Sequence, residues 1–133
     1  MNSLPLAVAR AMTRPPAPAG PETFEAHAAH EALEIWEAEF FFGPDFAGFE
    51  GHFPGDPLLP GIAQIMAVTM TARPDGGAKL LHVGRTKFTG FVRPGDTMRV
   101  RATLRGTDAG MQVSGECSTR NGVCAQIKIL LDR

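Results

Sequence analysis

The cleanest pattern in the chain lies at residues 97–105, where Met98, Val100, Ala102 and Leu104 alternate with Arg99, Arg101, Thr103 and Arg105. Alternation with a period of two predicts a strand with one buried and one solvated face. Strand-like runs flank it: residues 79–92 before the Pro94-Gly95-Asp96 turn, and two more strands after a turn at 106–110. In the last hairpin, a two-residue Asn121-Gly122 turn would mix the faces of the two strands. A three-residue Arg120-Asn121-Gly122 loop with Gly122 left-handed instead aligns Met111, Val113 and Cys117 with Val123, Ala125, Ile127, Ile129 and Leu131. This register puts Cys117 inside and Cys124 outside.

Upstream, residues 62–72 are apolar nearly all round, with Gln64, Thr69 and Thr71 the only polar side chains. Pro60 precedes them, where proline suits a first helical position, and Pro74 and Asp75-Gly76-Gly77 follow, so the run predicts one buried helix. Residues 43–60 carry glycines at 43, 48, 51 and 55 and prolines at 44, 54, 57 and 60, interleaved with Phe46, Phe49 and Phe53, which predicts an ordered loop. A strand is expected at about 31–42. Residues 1–20, with prolines at 5, 15, 16 and 18, read as a tail, leaving one domain at 21–133. The order strand, loop, buried helix, four antiparallel strands is an α+β arrangement, a long sheet wrapped around a single helix.

Composition narrows the classes. At 133 residues the chain suits one domain with a small core, which association would help. The net charge of −1 hides an asymmetry: residues 21–60 hold nine acids and no Lys or Arg, whereas residues 73–133 hold eleven bases against five acids. The halves should pair, and nucleic acid is a poor partner for a chain without net basicity. Two cysteines make no disulfide framework, no Cys/His group has zinc-ligand spacing, and a reducing cytoplasm is the default compartment. The apolar run at 4–9 lacks the preceding positive charge of a signal peptide, and no stretch approaches the ~20 apolar residues of a membrane span.

The most specific string is Phe49-Glu50-Gly51-His52-Phe53-Pro54-Gly55-Asp56-Pro57-Leu58-Leu59-Pro60-Gly61-Ile62. It resembles the signature of the hot-dog-fold beta-hydroxyacyl-acyl carrier protein dehydratases, in which Gly-His-Phe-Pro precedes Pro-Gly and the central helix. Lys87-Phe88-Thr89-Gly90-Phe91-Val92-Arg93-Pro94-Gly95-Asp96 is similar to that family's strand and Pro-Gly-Asp turn. The run Leu59-Pro60-Gly61-Ile62-Ala63-Gln64 is similar to the subgroup associated with aryl-polyene and related polyketide-like pathways.

The resemblance implies a hot-dog fold and a homodimer whose tunnel forms between subunits. The implied activity is dehydration of a 3-hydroxyacyl thioester on an acyl carrier protein, in fatty-acid or polyketide-like biosynthesis, with no metal or cofactor. The residue chemistry fits. His52, in a loop stiffened by glycine and proline, is a base near neutral pH, and the unpaired N–H of Gly61 at the helix start would polarise a thioester carbonyl. Phe49, Phe53, Pro60, Ile62, Gln64 and Met66 are the expected substrate-lining residues.

Two departures stand out. The family places a Glu or Asp where this chain has Met66, 14 residues after His52, and a second polar residue where it has Met70. Gln64 lies ~200° round the helix from Met66, and a Thr69 hydroxyl is a poor acid. The family's N-terminal His-Arg-x-Pro-Phe segment is also missing. A non-catalytic acyl-binding subunit paired with an active homologue is therefore a second reading. A hot-dog thioesterase is a third, weakened because residues 60–73 hold no acid to activate water.

Among the remaining candidates, Arg85, Lys87, Arg93, Arg99 and Arg101, with Arg105, form a basic set attractive to an acidic carrier protein, or a solvated face neutralised by the acidic first half. His27, His30 and Glu34 have metal-like spacing only if helical, and the strand reading splits them. His82 falls on a strand and reads as structural. Phe40, Phe41, Phe42 and Phe46 read chiefly as packing.

Overall fold

The computed structural model describes residues 12–18, 33–44, 46, 49, 58–74, 77 and 79–132. In chain order these form β1 (Met12–Pro18), β2 (Leu33–Phe41), helix α1 (Gly61–Ala72), β3 (Leu80–Phe88), β4 (Thr97–Thr107), β5 (Gly110–Thr119) and β6 (Gly122–Leu131). The strands make one sheet in the order β1-β2-β4-β5-β6-β3, with every adjacent pair antiparallel. The sheet wraps α1, which packs chiefly on β4 and also meets β2, β5 and β6. This is the expected hot-dog arrangement.

The alternation at 97–105 is observed as read: Met98, Val100, Ala102 and Leu104 are buried in the core, and Arg99 is exposed on the other face. Strand β2 supplies Ala38 and Phe40 to the same core, and Phe42 continues it beyond the strand. The helix adds Ala63, Ala67, Val68 and Ala72. These small residues let α1 sit close to the sheet, and the closest approach is at Gly115 on β5. A Cβ there would lie 2.6 Å from Val68 Cγ1 and 2.7 Å from Cγ2.

Three expectations are corrected. Met12–Pro18 is a strand rather than part of a tail over residues 1–20. It pairs with β2 at the rim of the sheet through a ladder with two register shifts. A rim strand uses the donors of one side only, so a proline-rich segment is tolerated there and not in the interior. Residues 1–11 and 19–20 lie outside the described residues.

The second correction concerns the last hairpin. The alignment of Met111, Val113 and Cys117 with Leu131, Ile129 and Ala125 is present, but Thr119 pairs with Gly122 across a two-residue Arg120-Asn121 turn. Gly122 adopts φ +112°, as foreseen. A register shift at Cys117/Ser118 accommodates Cys124 as an extra residue, so Cys124 and Ala125 are both buried and Val123 is exposed. A bulge changes which side chains face inward on either side of it, and alternation alone cannot locate one. Cys124 is therefore inside, not outside, and both thiols are free.

Third, β3 ends at Phe88 instead of running to residue 92. Thr89 N and Gly90 N both donate to Cys124 O, at 3.0 and 3.2 Å, which turns the chain off the ladder. Val92 O then accepts from Leu59 N at 2.8 Å. The turn that follows has Gly95 at φ +91°, and Asp96 Oδ2 accepts from Arg93 N at 2.9 Å. Gly95 N and Phe42 N make bonds to Phe42 O and Asp96 O, tying this turn to the end of β2.

Gly115→Ala is expected to destabilise the protein by ~1–3 kcal/mol through overpacking against Val68, measured by denaturant unfolding. In the Gly115→Ala/Val68→Ala double variant the loss should be smaller than the sum of the two singles, because the clashing methyls are gone.

Candidate functional site

Helix α1 begins without the usual aids. Pro60 is its N-cap in an extended conformation (φ −64°, ψ 149°), no side chain caps it, and the first turn has no acid. Gly61, rather than the proline, is the first helical residue. Ala63 N donates to Pro60 O at 3.0 Å, while the N–H groups of Gly61 and Ile62 have no hydrogen-bond partner among the described residues. Unpaired N–H groups at a helix start carry partial positive charge and suit a carbonyl or anionic oxygen. The Leu59–Val92 bond fixes where they stand, one residue before Pro60. Thus the two motifs read from the sequence meet here: the Leu-Pro-Gly-Ile string opens the helix and the 87–96 string braces it.

His52 and Phe53, and also His27 and His30, lie outside the described residues. The other expected site residues divide by helix face. Ile62 is 50% exposed at the helix start, and Met66 and Met70 are partly buried against the core. Gln64 is 3% exposed and points at the sheet, where its Oε1 accepts a long 3.8 Å hydrogen bond from Cys124 Sγ. That placement, ~200° from Met66, makes Gln64 an internal contact between α1 and β6. Thr69 and Thr71 donate their hydroxyls to Ile65 O and Ala67 O, at 3.0 and 2.8 Å, so neither is a free proton donor. Phe49 is buried and stacks edge-on against Phe46, 5.6 Å between centroids; Phe46 does the same with Phe42 at 4.9 Å. Phe40, Phe42 and Phe49 belong to the core, whereas Phe41 is exposed.

The basic set does not make one patch. Across the sheet, the paired positions Glu37, Arg101, Glu116, Gln126 and Lys87 form a single row. Glu116 therefore separates Arg101 from Lys87, which stand three strands, ~14 Å, apart. Arg99 Nη2 bonds Glu39 Oε2 at 3.0 Å, and this bond raises the guanidinium pKa further. Arg105 bonds the Gln112 side chain, and the Arg93 guanidinium lies 5.4 Å from the Phe91 ring centroid. Exposed Arg85 lies on β3. His82 is also exposed on β3, and Glu34 accepts from Trp36 Nε1 at 3.2 Å. No group of three His, Cys, Asp or Glu among the described residues is placed to hold a metal, and no described helix is long and apolar enough to cross a membrane.

Phe88 enters the sequence pattern only as part of the strand that matches the family, and Cys124, expected on the outer face, is buried against Gln64. The signal for Phe88 was a large apolar residue immediately before the polar Thr89-Gly90 break.

One helix wrapped by an antiparallel sheet, with the Gly-His-Phe-Pro and Pro-Gly strings leading into that helix in the sequence, defines a hot-dog-fold protein of the dehydratase type. Residues 27–128 match the family "ApeI-like: ApeI dehydratase", and the chain belongs to that family. It is 32% identical over 97 residues to a 3-hydroxyacyl-[acyl-carrier-protein] dehydratase FabZ of Rickettsia bellii, covering 60% of this chain and 67% of that protein. A FabZ of Ligilactobacillus salivarius is 40% identical over 65 residues, 42% of this chain and 46% of the relative, so that match spans less than half of the relative's length. Among solved structures, the dehydratase heterocomplex ApeI:P from Xenorhabdus doucetiae superimposes with a TM-score of 0.63 at 26% identity, over 80% of this chain and 92% of that one. The E. coli PaaI protein, at 12% identity and a TM-score of 0.59 over 99% of this chain and 88% of that one, shares the fold.

Burial shifts the thiols. Cys117 is pushed well above its ordinary range, and Cys124 is raised from 9.0 to about 11, chiefly by desolvation. Since the unfolded thiols ionise near 9, the native advantage of keeping them neutral acts the opposite way above that pH, where the unfolded state sheds its protons first. Unfolding free energy should hold below pH 9 and fall from there through about 11, the value for Cys124. A Cys117→Ala/Cys124→Ala variant, followed by denaturant melts across this range, should show a flatter alkaline decline.

Proposed function

We propose that the chain dehydrates a 3-hydroxyacyl thioester carried on an acyl carrier protein to the 2-enoyl thioester, in fatty-acid or polyketide-like biosynthesis. The observation that carries this reading is the braced start of α1, where the N–H groups of Gly61 and Ile62 have no partner among the described residues, in a chain of the ApeI-like dehydratase family. In this mechanism the thioester oxygen accepts from Gly61 N–H, which stabilises charge developing on that oxygen when His52 removes a proton from C2. The hydroxyl on C3 then leaves as water, taking up the proton that His52 removed from C2, and the C2–C3 double bond forms. Proton and hydroxyl both come from the substrate, so no cofactor or metal is required.

The edge of the sheet supports a reading of the subunit arrangement. Among the described residues strand β3 has no neighbour on its outer side, and it exposes Leu81, 46%, and Val83, 39%. An apolar rim of this kind favours a second copy added edge to edge. We therefore read the working form as a homodimer. Two free, buried thiols suit a reducing cytoplasm.

One observation favours a second reading. Met66 stands where the resembled family supplies the acid that protonates the leaving hydroxyl, and its side chain is packed against the core. An acyl-binding subunit that pairs with an acid-bearing homologue would need no acid of its own. The ApeI:P relative is described as a heterocomplex.

Purified protein incubated with 3-hydroxyacyl and 2-enoyl carrier-protein thioesters, followed by mass spectrometry in both directions, distinguishes the readings. Turnover that His52→Ala abolishes supports the enzyme; no turnover alone, with recovery on adding a Glu-bearing homologue, supports the subunit. Light scattering should give twice the 14.2 kDa chain mass.

Met66→Glu restores an acid on the helix face that the family uses. Dehydration is expected to rise ~10²–10⁴-fold, the usual worth of a placed general acid. Burying the carboxyl should cost ~1–3 kcal/mol of stability while raising its pKa, which keeps it protonated for the role. A folded Met66→Glu protein that binds the thioester without faster dehydration would favour the subunit reading.

A further inference from the structure

Phe88 and Gly61 are far apart in sequence and in contact in space. A Cβ placed on Gly61 would lie 2.7 Å from Phe88 Cζ and 3.1 and 3.3 Å from the two Cε atoms, so the tip of the ring rests on the first residue of α1. The backbone of Gly61 is helical, so a larger residue there would meet no conformational strain but would have to displace the Phe88 ring. Combining the 2.7 Å separation with covalent geometry puts the ring tip within ~5 Å of the Gly61 nitrogen.

The ring is also open to a ligand. Phe88 is 48% exposed although its register partner Ala125 is fully buried, because it is the last residue of β3 and the chain turns away at Thr89. Ile62, which follows Gly61, and Phe91 are exposed as well, at 50% and 59%. An oxygen docked on Gly61 N–H would place its carbonyl carbon, and the carbon bonded to that, beside the ring.

Resting on the dehydratase reading above, we propose that Phe88 is a specificity-determining residue that restricts the site to acyl thioesters unbranched at C2. A flat ring held against the helix start leaves space for a methylene next to the carbonyl and obstructs a methyl substituent on that carbon.

The test compares straight-chain and 2-methyl-branched 3-hydroxyacyl carrier-protein thioesters of equal chain length, using wild type, Phe88→Ala and Phe88→Leu. The ratio of kcat/KM for branched over straight substrate should rise ~10–100-fold in Phe88→Ala and less in Phe88→Leu, the scale set by one methyl group in an apolar site. A merely structural role would lower both substrates together and leave the ratio unchanged, which would overturn the proposal while the dehydratase reading stood. If wild type turns over neither substrate, the dehydratase reading fails and calorimetric binding of hydrolysis-resistant amide analogues of the two chains decides. Tighter binding of the straight chain that Phe88→Ala abolishes upholds the role of Phe88; equal binding, or none, by wild type overturns it. Phe88→Leu retains an apolar side chain and serves where the alanine variant does not fold.

Discussion

The position of α1 is set by the sheet rather than by the helix itself. Its N-cap has no side-chain hydrogen bond, its first turn no acid and its last turn no base, so capping and dipole complementation, worth ~0.3–2 kcal/mol each, are missing. What holds it is the burial of Ala63, Ala67, Val68 and Ala72 against β4 and its neighbours. The fit is tight because Val68 fills the space that a side chain at Gly115 would occupy. An isolated 12-residue helix is marginal in water, so here the tertiary contact makes the secondary structure.

In the proposed mechanism the lack of a cap also supplies the donors for the substrate oxygen. A serine or aspartate at the N-cap would satisfy one of the first N–H groups; Pro60 cannot, and those of Gly61 and Ile62 have no partner among the described residues. The cost is met by packing, and the loops on either side are tied by main-chain bonds: Leu59 to Val92, and Phe42 to Gly95 and Asp96. The Pro-Gly-Asp turn, remote in sequence from the Pro-Gly helix start, thus belongs to the same structural unit. A donor held by such a frame needs no reorganisation when charge develops on a substrate oxygen, which is the condition for effective electrostatic stabilisation.

On the outer face the same sheet disperses charge. The halves of opposite charge seen in the sequence become adjacent strands, with Glu37 and Glu39 beside Arg101 and Arg99. Arg99 is accordingly partnered by Glu39, and Lys87 stands across Gln126 and Glu116 from the β4 arginines. A count of bases along residues 73–133 could suggest a continuous basic surface because sequence order places β3 next to β4. The sheet order puts β5 and β6 between them.

The sequence by itself determined the architecture and the family. Alternation at 97–105 and the all-round apolar run at 62–72 are local signals of how many faces an element buries, and such signals survive folding unchanged. The Gly-His-Phe-Pro string and the Pro-Gly helix start identified the family for the same reason, being contiguous in the chain. Tertiary structure alone decided which of these side chains meet. The bulge at Cys124 reversed an expected orientation, a rim position made a strand of the proline-rich segment 12–18, and Phe88 came to rest on Gly61 from the far side of a bent sheet. Each depends on neighbours distant along the chain: a ladder partner, an unpaired edge, a gap with no Cβ. Periodicity records which face a residue prefers, while register and close approach are set by the partner it is packed against.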